Sequence, residues 1–518
     1  MPPNNLVLAA CLLVACLALR CNTTTEPTNS HALNNPEMVL AGQQLAARYC
    51  VACHQLPKPQ LLNKATWQQY VLPRMGYMLG LYPHDSVRAS LIEAGEGGRR
   101  VLAANVFPEQ PAISWEAYQQ IEAYYLHNAP DSLLMPIAQP LSTPLKQFKV
   151  IKPNYQLAPP STTMLQMATD GGFYLGDAHT QTLYRFNAAL SLTAAAKVRE
   201  GAVAMQETGN ALLVTVMGSF SPTDAPSGLV VALPKDKSLQ PSVVLKQLQR
   251  PVHSEMADLN GDQLPDIVTC EFGKWTGSLC WWRNEGNQTY QRQILYNKPG
   301  AIKAYVRDLN KDGLPDVIAL FGQADEGIFA FYNQGNGQFA QKRLLRFPAS
   351  YGSSYFNLHD FNGDDHQDII YTAGDNADYP ALMKPYHGIY LFVNDGQNNF
   401  SQQAFYHLNG AYKAIPSDFD QDGDTDIAAI SFFPDYVNQP EAGFVYLENT
   451  GQNQFARATF AEVTEGRWIV MEAGDVDEDG DTDLLLGSLA FETVPPTPYQ
   501  QQWAASGLPF VLLENQLN

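Results

Sequence analysis

Five copies of one acidic nonapeptide constrain this chain more than any other feature. "DLNGDQLPD" begins at Asp258 and returns as "DLNKDGLPD" at Asp308, "DFNGDDHQD" at Asp360, "DFDQDGDTD" at Asp418 and "DVDEDGDTD" at Asp475. The copies stand 50, 52, 58 and 57 residues apart. At such a period each repeat is a small unit that cannot bury its face alone, so neighbours stack into a ring or array. Each copy runs into an apolar, β-branched stretch ("IVTCEF", "VIALFG", "IIYTAG", "IAAISF", "LLLGSLAF") and then into a second strand ending in asparagine, such as "GSLCWWRN" or "GIYLFVN". These are strand signals, and the Gly/Asn turns after the first four ("EGNQTY", "QGNGQF", "DGQNNF", "TGQNQF") lead into a further strand.

The carboxylate spacing has a chemical reading. Oxygens at positions 1, 3, 5 and 9 of a nine-residue loop can fold around one hard cation, with the position-7 backbone carbonyl as a further ligand, and such oxygen-only sets suit calcium. Position 1 is Asp258, Asp308, Asp360, Asp418 and Asp475; position 3 is Asn260, Asn310, Asn362, Asp420 and Asp477. Position 5 is Asp262, Asp312, Asp364, Asp422 and Asp479; position 9 is Asp266, Asp316, Asp368, Asp426 and Asp483. The position-7 carbonyls belong to Leu264, Leu314, His366, Asp424 and Asp481. An EF-hand is excluded, because its position-12 glutamate is replaced by Thr269, Ala319, Tyr371, Ala429 and Leu486 and the flanks read as strands. The stretch from about 250 to 515 resembles FG-GAP (VCBS-type) propeller repeats, which implies about five calcium ions. Two earlier hairpin patterns, Met164 to Asn187 and Ala202 to Leu233, lack the metal loop. Two plus five predicts seven blades, with six or eight left open.

Charge fits this reading. The five loops hold 21 of the 52 acidic residues in a chain of net charge −20, so five calcium ions would halve that charge. The acidity argues against nucleic acid or an anionic membrane surface as partner. The later loops have the most acid, and Gln263 stands in the first where glycine would ease the turn.

A different motif stands near the start: "RYCVACHQLPKP", Arg48 to Pro59. A redox dithiol would need a βαβ context, and a zinc site a second ligand pair at similar spacing; neither follows. Cys-x-x-Cys-His is the pattern of covalent c-type haem attachment: thioethers from Cys50 and Cys53, and iron ligation by His54. Helical patterns flank it at "MVLAGQQLAARY" and at "SWEAYQQIEAYYLHNAP", which has a Ser cap and sets Tyr118, Ile121, Tyr124 and Tyr125 on one face. Residues 36–135 resemble a class I cytochrome c, in which the first and last helices cross beside one haem. Met75, in "LPRMG", best matches the sixth ligand, with Met78 and His84 as alternatives.

The chain opens on an apolar run, Leu6 to Leu19, of the length of an export signal and too short to span a bilayer. "LVAC" resembles a lipobox, making Cys16 (or Cys21) the lipidated residue. The chain is thus expected to be exported, as a periplasmic, outer-membrane or cell-surface lipoprotein that meets the membrane by its lipid anchor only. Cys270 and Cys280, on adjoining strands, are expected to form a disulfide, two buried thiols being the alternative. The expected fold is multidomain: a signal segment (1–20), a polar tether (21–36), a small all-α cytochrome c-like domain (37–135), a Pro-rich linker (136–155) and an all-β propeller (156–518).

Three functions remain open on sequence. One is electron transfer with a redox partner docked on the propeller. Another is a haem-linked dehydrogenase oxidising a sugar or alcohol, with His253 or His359 as candidate base. The third is adhesion or binding of an unknown ligand. The first is preferred, because neither a repeated Trp docking motif nor a convincing base is found. Long loops such as "DNADYPALMKPYHG" have the Tyr, Trp and Pro content of a contact surface.

Overall fold

The computed structural model describes residues 35–199, 201–235, 241–377, 382–451, 454–490 and 497–517. The export segment, nearly all of the tether, and Cys16 and Cys21 lie outside the described residues. No described helix is long and apolar enough to cross a membrane.

The first part is helical. Its opening helix, Pro36–Tyr49, starts where Asn35 accepts the N–H groups of Glu37 and Met38, with proline in the first turn. Its closing helix, Trp115–Asn128, is capped by Ser114, whose hydroxyl oxygen accepts the Ala117 N–H at 3.2 Å. The two cross so closely that a Cβ at Gly42 would collide with the Gln120 carbonyl. Tyr118, Ile121 and Tyr125 are buried and Tyr124 half-buried, as the helical spacing predicts. They pack with Ala46 and Trp67 in one core.

The remainder is seven four-stranded antiparallel sheets, six of them pairing strands that follow one another in sequence. The innermost strands are Thr162–Met167, Ala202–Glu207, Pro251–Ala257, Ala301–Arg307, Ser353–His359, Ala411–Ser417 and Trp468–Gly474, for blades one to seven. The acid-loop blades, three to seven, have second strands buried along their whole length, for example Asp316–Phe321. Such a strand has a neighbouring blade on each face, so it reads as a continuous apolar run. Outer strands such as Tyr290–Tyr296 are mostly exposed. Each of the seven blade-to-blade interfaces has its own apolar cluster, including Phe329 and Trp281 between blades three and four and Phe173 and Phe510 between seven and one. The seven-bladed propeller expected from the repeats is therefore present.

One boundary needs correction. The stretch expected as a linker, 136–155, contains Phe148–Ile151, which pairs antiparallel with Phe510–Asn515 in the register Phe148↔Asn515 to Ile151↔Leu512. It supplies the outer strand of blade seven, so the ring is closed by a strand from the chain's front end. The propeller begins at residue 148, not 156.

Topology also sorts the loops by face. Each acidic loop joins an innermost strand to the second strand, and the Gly/Asn turns join the third to the fourth; both lie on one face. The loops between second and third strands lie on the opposite face, and there the helical domain docks. The Glu93 carboxylate accepts the Thr223 hydroxyl (3.0 and 2.9 Å) and the Asp224 N–H (2.9 Å). The Phe107 ring meets Trp275 edge-on at 5.2 Å, and the Tyr386 hydroxyl donates to the Leu61 carbonyl at 2.8 Å. These propeller residues come from second-to-third loops of blades two, three and five. The "DNADYPALMKPYHG" loop expected to meet a partner is thus in part occupied by the chain's own helices.

Candidate functional site

The Cys-x-x-Cys-His motif follows the opening helix directly. Cys50–Ala52 forms one 3₁₀ turn, closed by the Cys53 N–H on the Cys50 carbonyl at 3.5 Å. Residues three apart eclipse in such a turn, so the two side chains project from one side. Both thiols are free; Cys50 is half-buried and Cys53 exposed. Burial, with Cys53 as a lesser cause, pushes the Cys50 thiol up to about 11, so it stays protonated at neutral pH.

His54 is buried. Its Nδ1 lies 2.8 Å from the Gln55 carbonyl, and a carbonyl only accepts, so Nδ1 is the donor there and Nε2 is the nitrogen left for another partner. No partner for Nε2 is found among the described residues. Met75, on the helix Leu72–Met78, packs half-buried against the same core as Cys50; Met78 does not join that contact, and His84 is exposed. Two thiols on one side of a turn, an imidazole and a thioether on the helix Leu72–Met78 are the donor types that a c-type haem takes.

The five acidic loops share one scaffold. The position-9 aspartates are wholly buried. One oxygen of each accepts the N–H of the asparagine ending the third strand: Asn284 on Asp266, Asn333 on Asp316, Asn394 on Asp368, Asn449 on Asp426 and Asn515 on Asp483, all at 2.7–2.8 Å. The other accepts the N–H of position 2 at 3.0–3.3 Å. The terminal asparagines of the sequence pattern are thus one half of a clamp. Position 9 is a structural brace first, whatever it gives to a cation.

Positions 4 and 6 of every loop have positive φ, and each loop has one glycine to meet the two demands: Gly261, Gly313, Gly363, Gly423 and Gly480. The non-glycine partners, Gln263 among them, carry the strain of the left-handed region. Positions 1, 3 and 5 are mostly exposed. In loop one the Asp258 carboxylate accepts the N–H groups of Gly261, Asp262 and Gln263.

Two loops have aspartate in place of asparagine at position 3. Asp418, Asp420 and Asp422 bring one oxygen each within 4.8 Å of one another, as do Asp475, Asp477 and Asp483. In the same two loops the position-7 side chains, Asp424 and Asp481, each hold a buried Oδ1 without a hydrogen-bond partner. Burial and neighbouring carboxylates raise both groups above the usual carboxylate range. The sequence reading assigned position 7 only a backbone carbonyl; here a carboxylate stands there too. Asp426 differs from Asp483 in that the Tyr446 hydroxyl also donates to it, at 2.5 Å.

The expected disulfide is not formed. On neighbouring strands Cys270 stands opposite Leu279 and Cys280 opposite Thr269. Successive residues point to opposite faces of a sheet, so the two thiols are on opposite faces. Both are buried and free, Cys280 Sγ lying 3.2 Å from the Ser278 hydroxyl.

Of the two candidate histidines, His359 Nε2 is 3.1 Å from the Thr425 hydroxyl near the acidic face, while His253 lines the centre of the ring beside Lys303. Neither Lys303 nor the docking residues Glu93 and Trp275 could be picked out from sequence, because their partners lie many residues away.

Residues 258–319, 308–371 and 418–486 match the FG-GAP-like repeat. No curated protein matches the chain. Solved structures of similar shape include the N-terminal domain of Nup159 (11% identity, TM-score 0.42, covering 74% of this chain and all of that one). Others are Sqt1 from Saccharomyces cerevisiae (8%, 0.44, 70% and 98%) and virginiamycin B lyase from Staphylococcus aureus (10%, 0.45, 71% and 100%). The chain carries FG-GAP-like repeats within a seven-bladed β-propeller.

Proposed function

We propose that the chain is an exported, lipid-anchored c-type cytochrome joined to a calcium-stabilised propeller, and that it passes electrons to or from a partner held by the propeller. The observation that carries the reading is the free thiol pair one turn ahead of a buried histidine whose Nδ1 is committed to a carbonyl. Cys50 and Cys53 would hold the haem covalently, and His54 and Met75 would hold its iron. The bound group supplies one-electron chemistry. The Gln55 carbonyl fixes the His54 ring through Nδ1 and leaves Nε2 as the nitrogen for another partner, and the Tyr118 hydroxyl ties the closing helix to the Leu72 carbonyl at 2.5 Å, three residues before Met75.

Calcium has a separate, structural part. The loops that gather three carboxylates and leave a fourth oxygen unpaired, those at Asp418 and Asp475, are the best candidates. They lie on the face opposite the helical domain, so ions there act on the ring and not on Cys50 or His54. Haem attachment takes place outside the cytoplasm, in keeping with the apolar Leu6–Leu19 run.

Peroxidase-active staining of a denaturing gel tests the central claim. The stain should persist through denaturation in the wild type and vanish in Cys50→Ala/Cys53→Ala. Complete extraction of haem from the wild type by acid acetone would refute it.

A further inference from the structure

Beyond the closing helix of the helical domain the chain crosses blades five and six before it reaches blade seven. Residues 136–141 form a strap there, held at two points. Gln439 Nε2 donates to the Gln139 carbonyl at 2.8 Å. Just past the strap, Ser142 pairs with the outer strand of blade six, Phe455–Ala458: its N–H donates to the Arg457 carbonyl at 2.9 Å and its carbonyl accepts the Thr459 N–H at 3.0 Å. Between the strap and the two blades lies a cavity of about 350 Å³. Ile389 and Leu408 of blade five and Val445 of blade six give it an apolar floor, all three being buried members of the core cluster between these blades.

The polar side of this cavity is basic. The chain has 52 acidic residues against 32 Lys and Arg, yet none of the acidic ones lines it, while Arg457 and His407 both do. Arg457 is half-buried, and no carboxylate lies within ion-pair distance of it among the described residues. Burial lowers its guanidinium from the ordinary arginine value, and the one neighbour opposing that shift is the Tyr406 hydroxyl, not an acid. The group still stays charged. His407 is lowered too, by burial first and by Arg457 as a lesser cause, so the two basic groups feel each other. His407 Nε2 and Asn409 Oδ1, in the same wall, are buried and have no hydrogen-bond partner. A guanidinium drawn partly out of water with no counter-charge is costly unless an anion pairs with it.

We propose that the cavity between blades five and six binds a small amphipathic monocarboxylate, its carboxylate on the Arg457 guanidinium and its apolar body against Ile389, Leu408 and Val445. A planar guanidinium matches a carboxylate with two parallel N–H donors. One charged group in the wall calls for one negative charge on the guest, and the apolar floor favours a carbon body over a bare inorganic ion. The volume falls within the usual range of ligand pockets, roughly 300–1,000 Å³. The lining residues come from the fourth-strand ends and the second-to-third loop, so the cavity lies toward the face on which the helical domain docks. The site stands apart from the haem and calcium readings and does not depend on either.

The test is calorimetric binding to the full chain in calcium-containing buffer, with phenylbutyrate as probe and phenylbutanol and butyrate as controls. Phenylbutyrate should bind saturably, one molecule per chain. Phenylbutanol keeps the body without the charge and butyrate the charge without the ring, so each should bind at least tenfold more weakly. Arg457→Gln should weaken phenylbutyrate at least tenfold, and Arg457→Lys, which keeps the charge, should lose less. If Arg457→Gln fails to fold, saturation-transfer NMR on the wild type with the three compounds reads the same contrasts without a variant. Absence of saturable phenylbutyrate binding, equal binding of phenylbutanol, or unchanged affinity in Arg457→Gln overturns the proposal.

Discussion

Asp483 and Asp475 stand at the two ends of one loop, and removing them should differ most when calcium is absent. The Asp483 carboxylate is wholly buried and holds the N–H groups of Asn515 (2.8 Å) and Val476 (3.0 Å). Asp483→Ala leaves both donors buried without an acceptor, at about 1–3 kcal/mol each. The loss should be about 2–6 kcal/mol without calcium, and larger with it, because Asp483 is also one of the three gathered carboxylates. Asp475 is exposed; its partners, the N–H groups of Asp479 (3.1 Å) and Gly480 (3.0 Å), can turn to water instead. Asp475→Ala should therefore cost under about 1 kcal/mol in chelator. With calcium at a hundredfold excess over Kd, the variant should also lose the site's contribution of about 2.7 kcal/mol. Urea unfolding followed by far-UV circular dichroism, with calcium and after chelation, measures all four quantities. Burial raises the Asp483 carboxyl to about 6, so the work belongs well above that pH. The reasoning fails if Asp475→Ala costs the same in both buffers, or if Asp483→Ala becomes harmless once calcium is gone.

Other consequences are as direct. Burial raises the Glu326 carboxyl to about 8 from 4.5. The folded state then holds a proton that the unfolded chain has lost, so stability falls as pH rises across that interval, by at most about 5 kcal/mol. Glu326→Gln, which keeps the Ser353 contacts, should melt higher than wild type above pH 8 and gain nothing below pH 4.5; parallel pH curves would contradict the assignment. Gly42→Val should displace the closing helix from the opening one, lowering helical-domain stability by roughly 2–4 kcal/mol and leaving the propeller's β signal intact. Met75→Ala should remove the weak near-infrared sulfur-to-iron band, whereas Met78→Ala should keep it. Loss of the band in Met78→Ala alone would reassign the ligand.

The ring was legible because each of its last five blades repeats the same acidic loop, apolar strand and terminal asparagine at a nearly fixed interval. The first two blades showed only as hairpins, yet that sufficed for a count. The outer strand of blade seven was hidden for a physical reason: "FKVI" lies in a Pro-rich stretch and pairs with residues more than 360 positions away, so nothing local marks it. The disulfide expectation failed on parity. Cys270 and Cys280 are close in sequence and on paired strands, but only the register shows that they face opposite ways. At the candidate sites the ligand-type residues could be read from spacing. The brace made by position 9 could not, because it depends on which N–H groups the folded loop delivers to it. The Lys303–His253 pair was equally hidden, since it forms only when blades three and four stand side by side.

The closing strand also fixes an order of events during synthesis. Gln147 and Asn515 are joined by a 2.6 Å hydrogen bond across 368 residues. Closing a loop of that length costs about 5 kcal/mol in chain entropy. The helices can fold while most of the chain is still unmade, but the strand just after them must wait for the last residues to arrive. Until then Phe510–Asn515 and its neighbours have no outer partner, and an open strand edge invites pairing with another molecule. A fragment cut at residue 156, where the sequence alone would separate two domains, would keep that open edge permanently and is expected to aggregate.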